Sequence, residues 1–308
     1  MNRIKRCILI LSAFMLLPGC AGSPEEHADN AGSAADEAAQ AGSADIHEEG
    51  GNGGQEMYTF FDVEGNRYEA PLLESVPKCM YDFSCLTADE ATGYKSYSDA
   101  ENKITARRGI DISEFQGEEI DWQRVKDAGM EFVILRLGYR AYGESGALVL
   151  DAMYEQNVQN ALAAGLEVGV YFFSQAITAA EAEEEAQFVL EHVRPYNITG
   201  PVVYDTEEIK WDTARAENNT SEEYTEYCRV FCDAVRAAGY DPMIYCNLKW
   251  MAFTLDLEQL TGYDFWYADY YDIPQCPYDY KIWQYSETGV VPGINGNVDL
   301  NLWFQEGE

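Results

Sequence analysis

From Arg108 to about Asp264 the chain alternates short apolar runs with amphipathic stretches. Phe132 to Leu137, Val168 to Phe173 and Pro201 to Tyr204 are almost uninterrupted apolar runs, the pattern of parallel strands covered on both faces. Three junctions look alike. Lys126-Asp127-Ala128-Gly129, Leu162-Ala163-Ala164-Gly165 and Arg236-Ala237-Ala238-Gly239 each end a helical stretch on a glycine, and an apolar run begins two or three residues later. A glycine there is free to take the left-handed conformation that closes a helix, and so short a connection lays the strand against the helix just completed. Beyond Asp264 the helical periodicity stops: Asp264 to Tyr267, Lys281 to Tyr285 and Val298 to Leu300 read as strands joined by loops alone. About eight strands with about five helices predict an α/β fold, a modified TIM-type barrel clothed by helices over part of its circumference. The sequence has no GxGxxG or GxxxxGK[ST], so a nucleotide-binding sheet would lack its phosphate loop.

Upstream the pattern changes. Residues 57–104 are aromatic and turn-rich, with alternation over Tyr58 to Val63 and a turn at Glu64-Gly65-Asn66. This predicts a small hairpin cap or spacer ahead of a barrel at 105–308. Residues 20–56 are an acidic Ala/Gly/Ser stretch with no Lys, Arg or aromatic side chain, too poor in apolar surface to order itself, and read as a flexible tether. Residues 1–19 have the form of an export signal: Arg3, Lys5 and Arg6, then an apolar run from Cys7 to Leu17 too short to span a bilayer. The run ends in Leu17-Pro18-Gly19-Cys20, which resembles a bacterial lipobox, with Pro18 where a small residue is usual. Cys20 is therefore expected to carry the lipid that holds the protein on the extracytoplasmic face of the bacterial membrane. In an exported protein, Cys79 and Cys85 could close a loop disulfide.

Charge narrows the function. Twenty Lys and Arg stand against 54 Asp and Glu, a net charge of -34, which excludes a basic nucleic-acid surface. Of three histidines only His192 lies in the folded part, so serine–histidine triads and histidine-rich metal sites are nearly excluded, and no metal or cofactor is expected. Carboxylates are what remains. Asp111, Asp205, Glu207 and Asp299 follow strand runs, and Asp269 trails another; in a parallel barrel the strand C-termini open on one face, where these acids would meet. Asp205 and Glu207, two apart, would point the same way along an extended strand, about 6.6 Å apart at roughly 3.3 Å per residue. That spacing lies between the retaining and inverting carboxyl separations and predicts no stereochemistry. Tyr139, Tyr171, Phe173, Trp266, Tyr270 and Trp283 crowd the same ends, offering flat faces for sugar rings. Each feature also has a plainer use: an acid after a strand caps a helix, and an aromatic there packs the core.

The motifs Gly109-Ile110-Asp111-Ile112-Ser113-Glu114-Phe115-Gln116-Gly117, Pro201-Val202-Val203-Tyr204-Asp205-Thr206-Glu207, Trp266-Tyr267-Ala268, Ile282-Trp283-Gln284-Tyr285-Ser286 and Gly293-Ile294-Asn295-Gly296-Asn297-Val298-Asp299-Leu300-Asn301 occur in order. Together they resemble glycoside hydrolase family 25, the lysozymes also called muramidases, over about residues 108–304. The resemblance implies cleavage of the β-1,4 bond between N-acetylmuramic acid and N-acetylglucosamine in peptidoglycan. It implies Glu207 as general acid/base, Asp205 steadying the substrate's N-acetyl group as that group attacks the anomeric carbon, and Asp111 and Asp299 completing an acidic floor. Tyr139, Tyr171, Phe173, Trp266, Asp269, Trp283 and Gln284 are the expected substrate contacts. Phe172 stands where many members carry His, which puts one substrate hydrogen bond in question. The expected partners are peptidoglycan strands and, through Cys20, the membrane; a monomer is expected. Two other readings stay open: a glycan-binding barrel without catalysis, and an N-acetylglucosaminidase or chitinase-like enzyme with the same carboxylates.

Overall fold

The computed structural model describes residues 55–143, 145–209 and 215–307. The expected signal peptide, Cys20 and all but the last two residues of the expected tether lie outside them. Eight strands close a barrel: β5 (Ile104–Ile112), β6 (Phe132–Arg140), β8 (Glu167–Phe173), β9 (Val202–Asp205), β10 (Pro242–Asn247), β11 (Asp264–Ala268), β12 (Ile282–Gly289) and β13 (Val298–Glu306), with β13 returning to pair β5. A short β7 (Leu148–Leu150) pairs the end of β6, and β3 (Leu86–Ala88) and β4 (Lys95–Asp99) form a hairpin on the start of β5. Five helices lie among the described residues: α1 (Trp122–Asp127), α2 (Tyr154–Ala163), α3 (Ala179–Val193), α4 (Ser221–Ala237) and α5 (Leu248–Phe253).

The glycine junctions behave as the sequence suggests. Gly129, Gly165 and Gly239 have φ of 89°, 78° and 88°, a region L side chains rarely adopt. The next strands begin at Phe132, Glu167 and Pro242. Seven barrel strands are parallel, but β13 is antiparallel to both neighbours. This changes the expected geometry of Asp299. It does not trail a parallel strand; it is the second residue of a reversed one, and the reversal brings that end to the mouth, with Asp299 opposite Asp111.

Alternation along the strands divides the barrel interior by height. Phe132, Ile134, Val203, Met243, Trp266 and Ile282 form a closed apolar plug, with Trp303 against it. Gly109 leaves room for that plug: a Cβ on it would lie 2.5 Å from three ring atoms of Phe132. Above the plug the inward positions turn polar.

Outward positions join a second, larger apolar layer. The helices cover it around β5 to β10, while β11, β12 and β13 lack them. There residues 57–104 take the helices' place. Antiparallel β1 (Met57–Phe61) and β2 (Arg67–Pro71) form a separate hairpin sheet, and Tyr58, Phe60, Leu72, Val76, Tyr94 and Tyr97 share one buried cluster with Tyr278, Tyr280, Trp283, Tyr285 and Phe304. The Tyr81 ring stacks on Phe304 with centroids 4.1 Å apart, and its hydroxyl donates to the Tyr280 carbonyl at 2.6 Å. The expected cap is thus part of the barrel's outer wall. Cys79 and Cys85 are free thiols rather than a disulfide. Cys79 is held by its backbone N–H on the Pro277 carbonyl, while Cys85 closes a separate 3-10 turn on Asp82.

Candidate active site

The mouth is built from inward positions one or two residues beyond the plug. On β5, Ile110 and Ile112 face the outer layer, so Asp111 between them faces in. Its Oδ2 accepts from Asn301 Nδ2 at 2.7 Å and from Gln284 Nε2 at 3.0 Å. The amide of Gln284 is oriented in turn, because its Oε1 accepts from the hydroxyls of Tyr245 and Tyr270, both at 2.9 Å. Asn301 Oδ1 takes the indole N–H of Trp266 at 2.8 Å. The amides therefore point their donors at the acids.

Asp205 ends β9, is 4% exposed, and has a buried Oδ1 with no hydrogen-bond partner among the described residues. The chain after it remains extended for a step. The Thr206 amide donates to the Tyr245 carbonyl, and its hydroxyl accepts from the indole of Trp250 on α5, outside the barrel. That outward turn leaves half-buried Glu207 on the Asp205 side, as alternation requires. Burial, then the neighbouring charges of Glu207 and Asp111, push the Asp205 carboxyl well above its ordinary range, while Arg136 pulls it down. Burial raises Asp111, against the hydrogen bonds it accepts. Asp299 is raised well above the usual value by burial, by the Asp111 charge and by hydrogen bonding to Asp111. Two carboxyls in one low-dielectric site cannot both ionise cheaply, so Asp299 holds the proton that it shares with Asp111. The four predicted acids therefore meet in one mouth.

The aromatic candidates divide. Tyr171 lines the mouth, with its phenol held protonated by burial and by Asp111, Asp205 and Asp299, against Arg136. Tyr139 and Phe173 are half-buried at the rim, Tyr139 with the Arg136 guanidinium carbon 5.4 Å from its ring centre. Trp266 is 2% exposed and belongs to the plug below. Trp283 faces outward, opposite to its neighbour Gln284, and donates to the Asp269 carbonyl at 2.7 Å. Asp269 is buried in the following loop, accepting from Tyr267, from the Tyr271 amide and from the Gln275 amide, whose own side chain clamps Phe61 in β1. Neither Trp283 nor Asp269 joins the mouth; both tie the loop to the hairpin. Phe172 also faces outward, packed edge-on to Phe188 of α3 with centroids 5.9 Å apart. Position 172 therefore faces away from the mouth.

Sequence reasoning missed Arg136, Tyr245, Asn301 and Phe115. A lone cation inside an apolar parallel-strand run was the available signal for Arg136. Phe115 is 43% exposed at the rim, carried by a 3-10 turn (Glu114–Gln116) with a capping box between Ser113 and Gln116 and a glycine end at φ 85°. The local motif Ser113 to Gly117 is therefore turn chemistry that presents one aromatic ring. Among the described residues, no group of three or more His, Cys, Asp and Glu is placed to hold a metal ion.

The family model for glycosyl hydrolases family 25 matches residues 110–294, more than half of the chain. The chain belongs to that family and is a glycoside hydrolase of the lysozyme type. It is 30% identical over 200 residues to the uncharacterized protein YegX of Escherichia coli K12, covering 63% of this chain and 68% of that protein. It is 28% identical over 203 residues to lysozyme M1 of Streptomyces globisporus, covering 63% and 66%. In fold it is similar to the modular autolysin LytC of Streptococcus pneumoniae, solved in complex with a synthetic peptidoglycan ligand. That match has a TM-score of 0.57 and 22% identity over 80% of this chain and 56% of LytC, so this chain spans little more than half of LytC's length.

Proposed function

We propose that the protein is a peptidoglycan muramidase that hydrolyses the β-1,4 bond between N-acetylmuramic acid and N-acetylglucosamine. The observation that carries this reading is the buried Oδ1 of Asp205, beside Glu207 and without a hydrogen-bond partner among the described residues. A buried acceptor left without a donor is costly, and an acetamido N–H of the bound sugar would supply one. Glu207, half-buried at the open side, protonates the departing glycosidic oxygen as the acetamido oxygen attacks the anomeric carbon and the C–O bond breaks. Asp205 takes the acetamido N–H while positive charge grows on that nitrogen. Water then gives a proton to Glu207 as its oxygen attacks the same carbon, which breaks that carbon's new bond to the acetamido oxygen and restores the acid. Asp111 and Asp299, sharing one proton and tied to Gln284 and Asn301, form the floor. Tyr171, Tyr139, Phe173 and Phe115 offer rings along one side.

The purified protein and its Glu207→Gln variant would be incubated with peptidoglycan, the products reduced with borohydride and read by mass spectrometry. Reduced muramic acid ends from the native protein alone are expected. Reduced glucosamine ends would move the bond to that of an N-acetylglucosaminidase. Absence of cleavage with retained glycan binding would leave a binding module. The same reading places the enzyme at the membrane through a lipid on Cys20. Cys20→Ala should release it into the medium, and continued membrane retention would refute the anchor.

A further inference from the structure

Arg136 is a costly residue to keep. It is 6% exposed, one turn of alternation above the plug residue Ile134, and its charge must be compensated there. Nε donates to Asp151 Oδ2 at 2.8 Å and Nη2 to Glu114 Oε1 at 3.0 Å, and the rings of Phe115 and Tyr139 lie 5.0 and 5.4 Å from the guanidinium carbon. A buried ion group of this kind is weak evidence for stability, because apolar side chains of equal volume often do as well. Its placement suggests a different use. Arg136 is the register partner of Tyr171, whose strand β8 lies between β6 and β9, where Asp205 sits. Asp205 is faced by Glu207 from the loop after β9, Asp111 from β5, Tyr171 from β8 and Tyr245 from β10, all acidic or neutral. Among the described residues, the positive charge acting on it is that of Arg136.

We infer that Arg136 is a positioning residue whose guanidinium, fixed in the mouth wall by Glu114 and Asp151, opposes the neighbouring acids and so eases ionisation of Asp205 to the carboxylate that receives the substrate's acetamido N–H. This rests on the muramidase reading for its chemical purpose, though not for its electrostatics. Tyr171 is in register with Val203, so Asp205 lies two strand spacings across and two residues along from Arg136; that separation is about 12 Å, and across an effective dielectric of roughly 20 a unit charge moves a carboxyl by on the order of one pH unit. Glu114 works in opposition, since its negative charge offsets part of the guanidinium's field.

The test is a carbon-13 NMR titration of the Asp205 carboxyl in the full protein, alongside the pH profile of kcat/KM on peptidoglycan. Arg136→Met should move the Asp205 midpoint, and with it the acid limb of the profile, up by on the order of one unit. Arg136→Lys, which keeps the charge, should restore most of the native midpoint. Glu114→Gln, which keeps an acceptor for Nη2 but removes a charge, should move both down. Simple loss of packing would not give opposite signs, and Glu114→Gln carries the test alone if Arg136→Met does not fold. An unmoved midpoint in folded Arg136→Met, or an upward shift in Glu114→Gln, would overturn the inference. Midpoints that move as expected in a protein that cleaves no peptidoglycan would leave the electrostatics standing and remove the muramidase reading instead.

Discussion

Deleting residues 57–104 should unfold the barrel, although the family match begins only at residue 110. The segment covers the arc of β11 to β13 that lacks helices. Its removal would bare the outward rings of Tyr278, Tyr280, Trp283, Tyr285 and Phe304, none more than 4% exposed in the intact protein. Each large ring brought from burial to water costs about 1.5–3 kcal/mol, so five give on the order of 10 kcal/mol as an upper bound. Total domain stability is typically about 5–15 kcal/mol. Losses beyond the rings include the Tyr81 hydroxyl bond to the Tyr280 carbonyl and the Gln275 clamp on Phe61. Residues 105–308 would be expressed beside 57–308 and compared by near-ultraviolet circular dichroism, dye binding and thermal melting. The shorter chain should bind dye and show no cooperative melt. A cooperative transition within about 5 °C of that of 57–308 would refute the reasoning and return the segment to the status of a spacer.

Three further outcomes are expected. Gly109→Ala forces a methyl against the Phe132 ring, and overpacking of this sort costs about 1–3 kcal/mol; thermal melting should show the loss, and adding Phe132→Leu should recover part of it. Glu185 is fully buried, donated to by Ser174 Oγ and Arg140 Nε at 2.7 Å each, with its pKa raised by burial from 4.5 to about 7. A raised carboxyl contributes stability that is complete below pH 4.5 and lost as pH rises to about 7, here ~3 kcal/mol at 1.36 kcal/mol per unit; urea unfolding at pH 4.5 and 8 should show this difference, and Glu185→Gln should flatten it. Asp299→Asn removes a carboxyl that burial and Asp111 hold protonated, so the variant should melt a few degrees above the native protein at pH 8, with the gap closing towards pH 4, and should lose hydrolysis; a lower melting temperature at pH 8 would contradict the shared-proton floor.

The barrel was legible because its signals are local. Apolar runs, helix-closing glycines and the loss of helical periodicity after Asp264 each depend on a few consecutive residues. The placement of Asp111, Asp205 and Glu207 was legible for the same reason, since each stands at the C-terminal end of a strand run; Asp299 stands at the start of one and meets them only because β13 is reversed. What escaped depended on sidedness and on distant partners. Whether Trp283 or Gln284 faces the mouth turns on a single step of alternation in β12, and nothing in Ile282 to Ser286 fixes that phase. The reversal of β13 was hidden too: Val298 to Leu300 reads the same in either direction, and only pairing with β5 and β12 sets its sense. The role of residues 57–104 could not be read because their partners lie some 200 residues away, as in Leu73 with Tyr278 and Tyr94 with Val290.

The reversed strand also determines how the barrel would respond to force. Because β13 runs against β5, the pair begins at Ile104 opposite Glu306 on the closed side and ends at Asp111 opposite Asp299 in the mouth. Tension applied between Lys103 and Gly307, which are already joined by a backbone hydrogen bond, would load this ladder as a zipper, one pair at a time from below, rather than in shear. The seam would open first where no chemistry occurs, and the two carboxyls that share a proton would be the last pair to part.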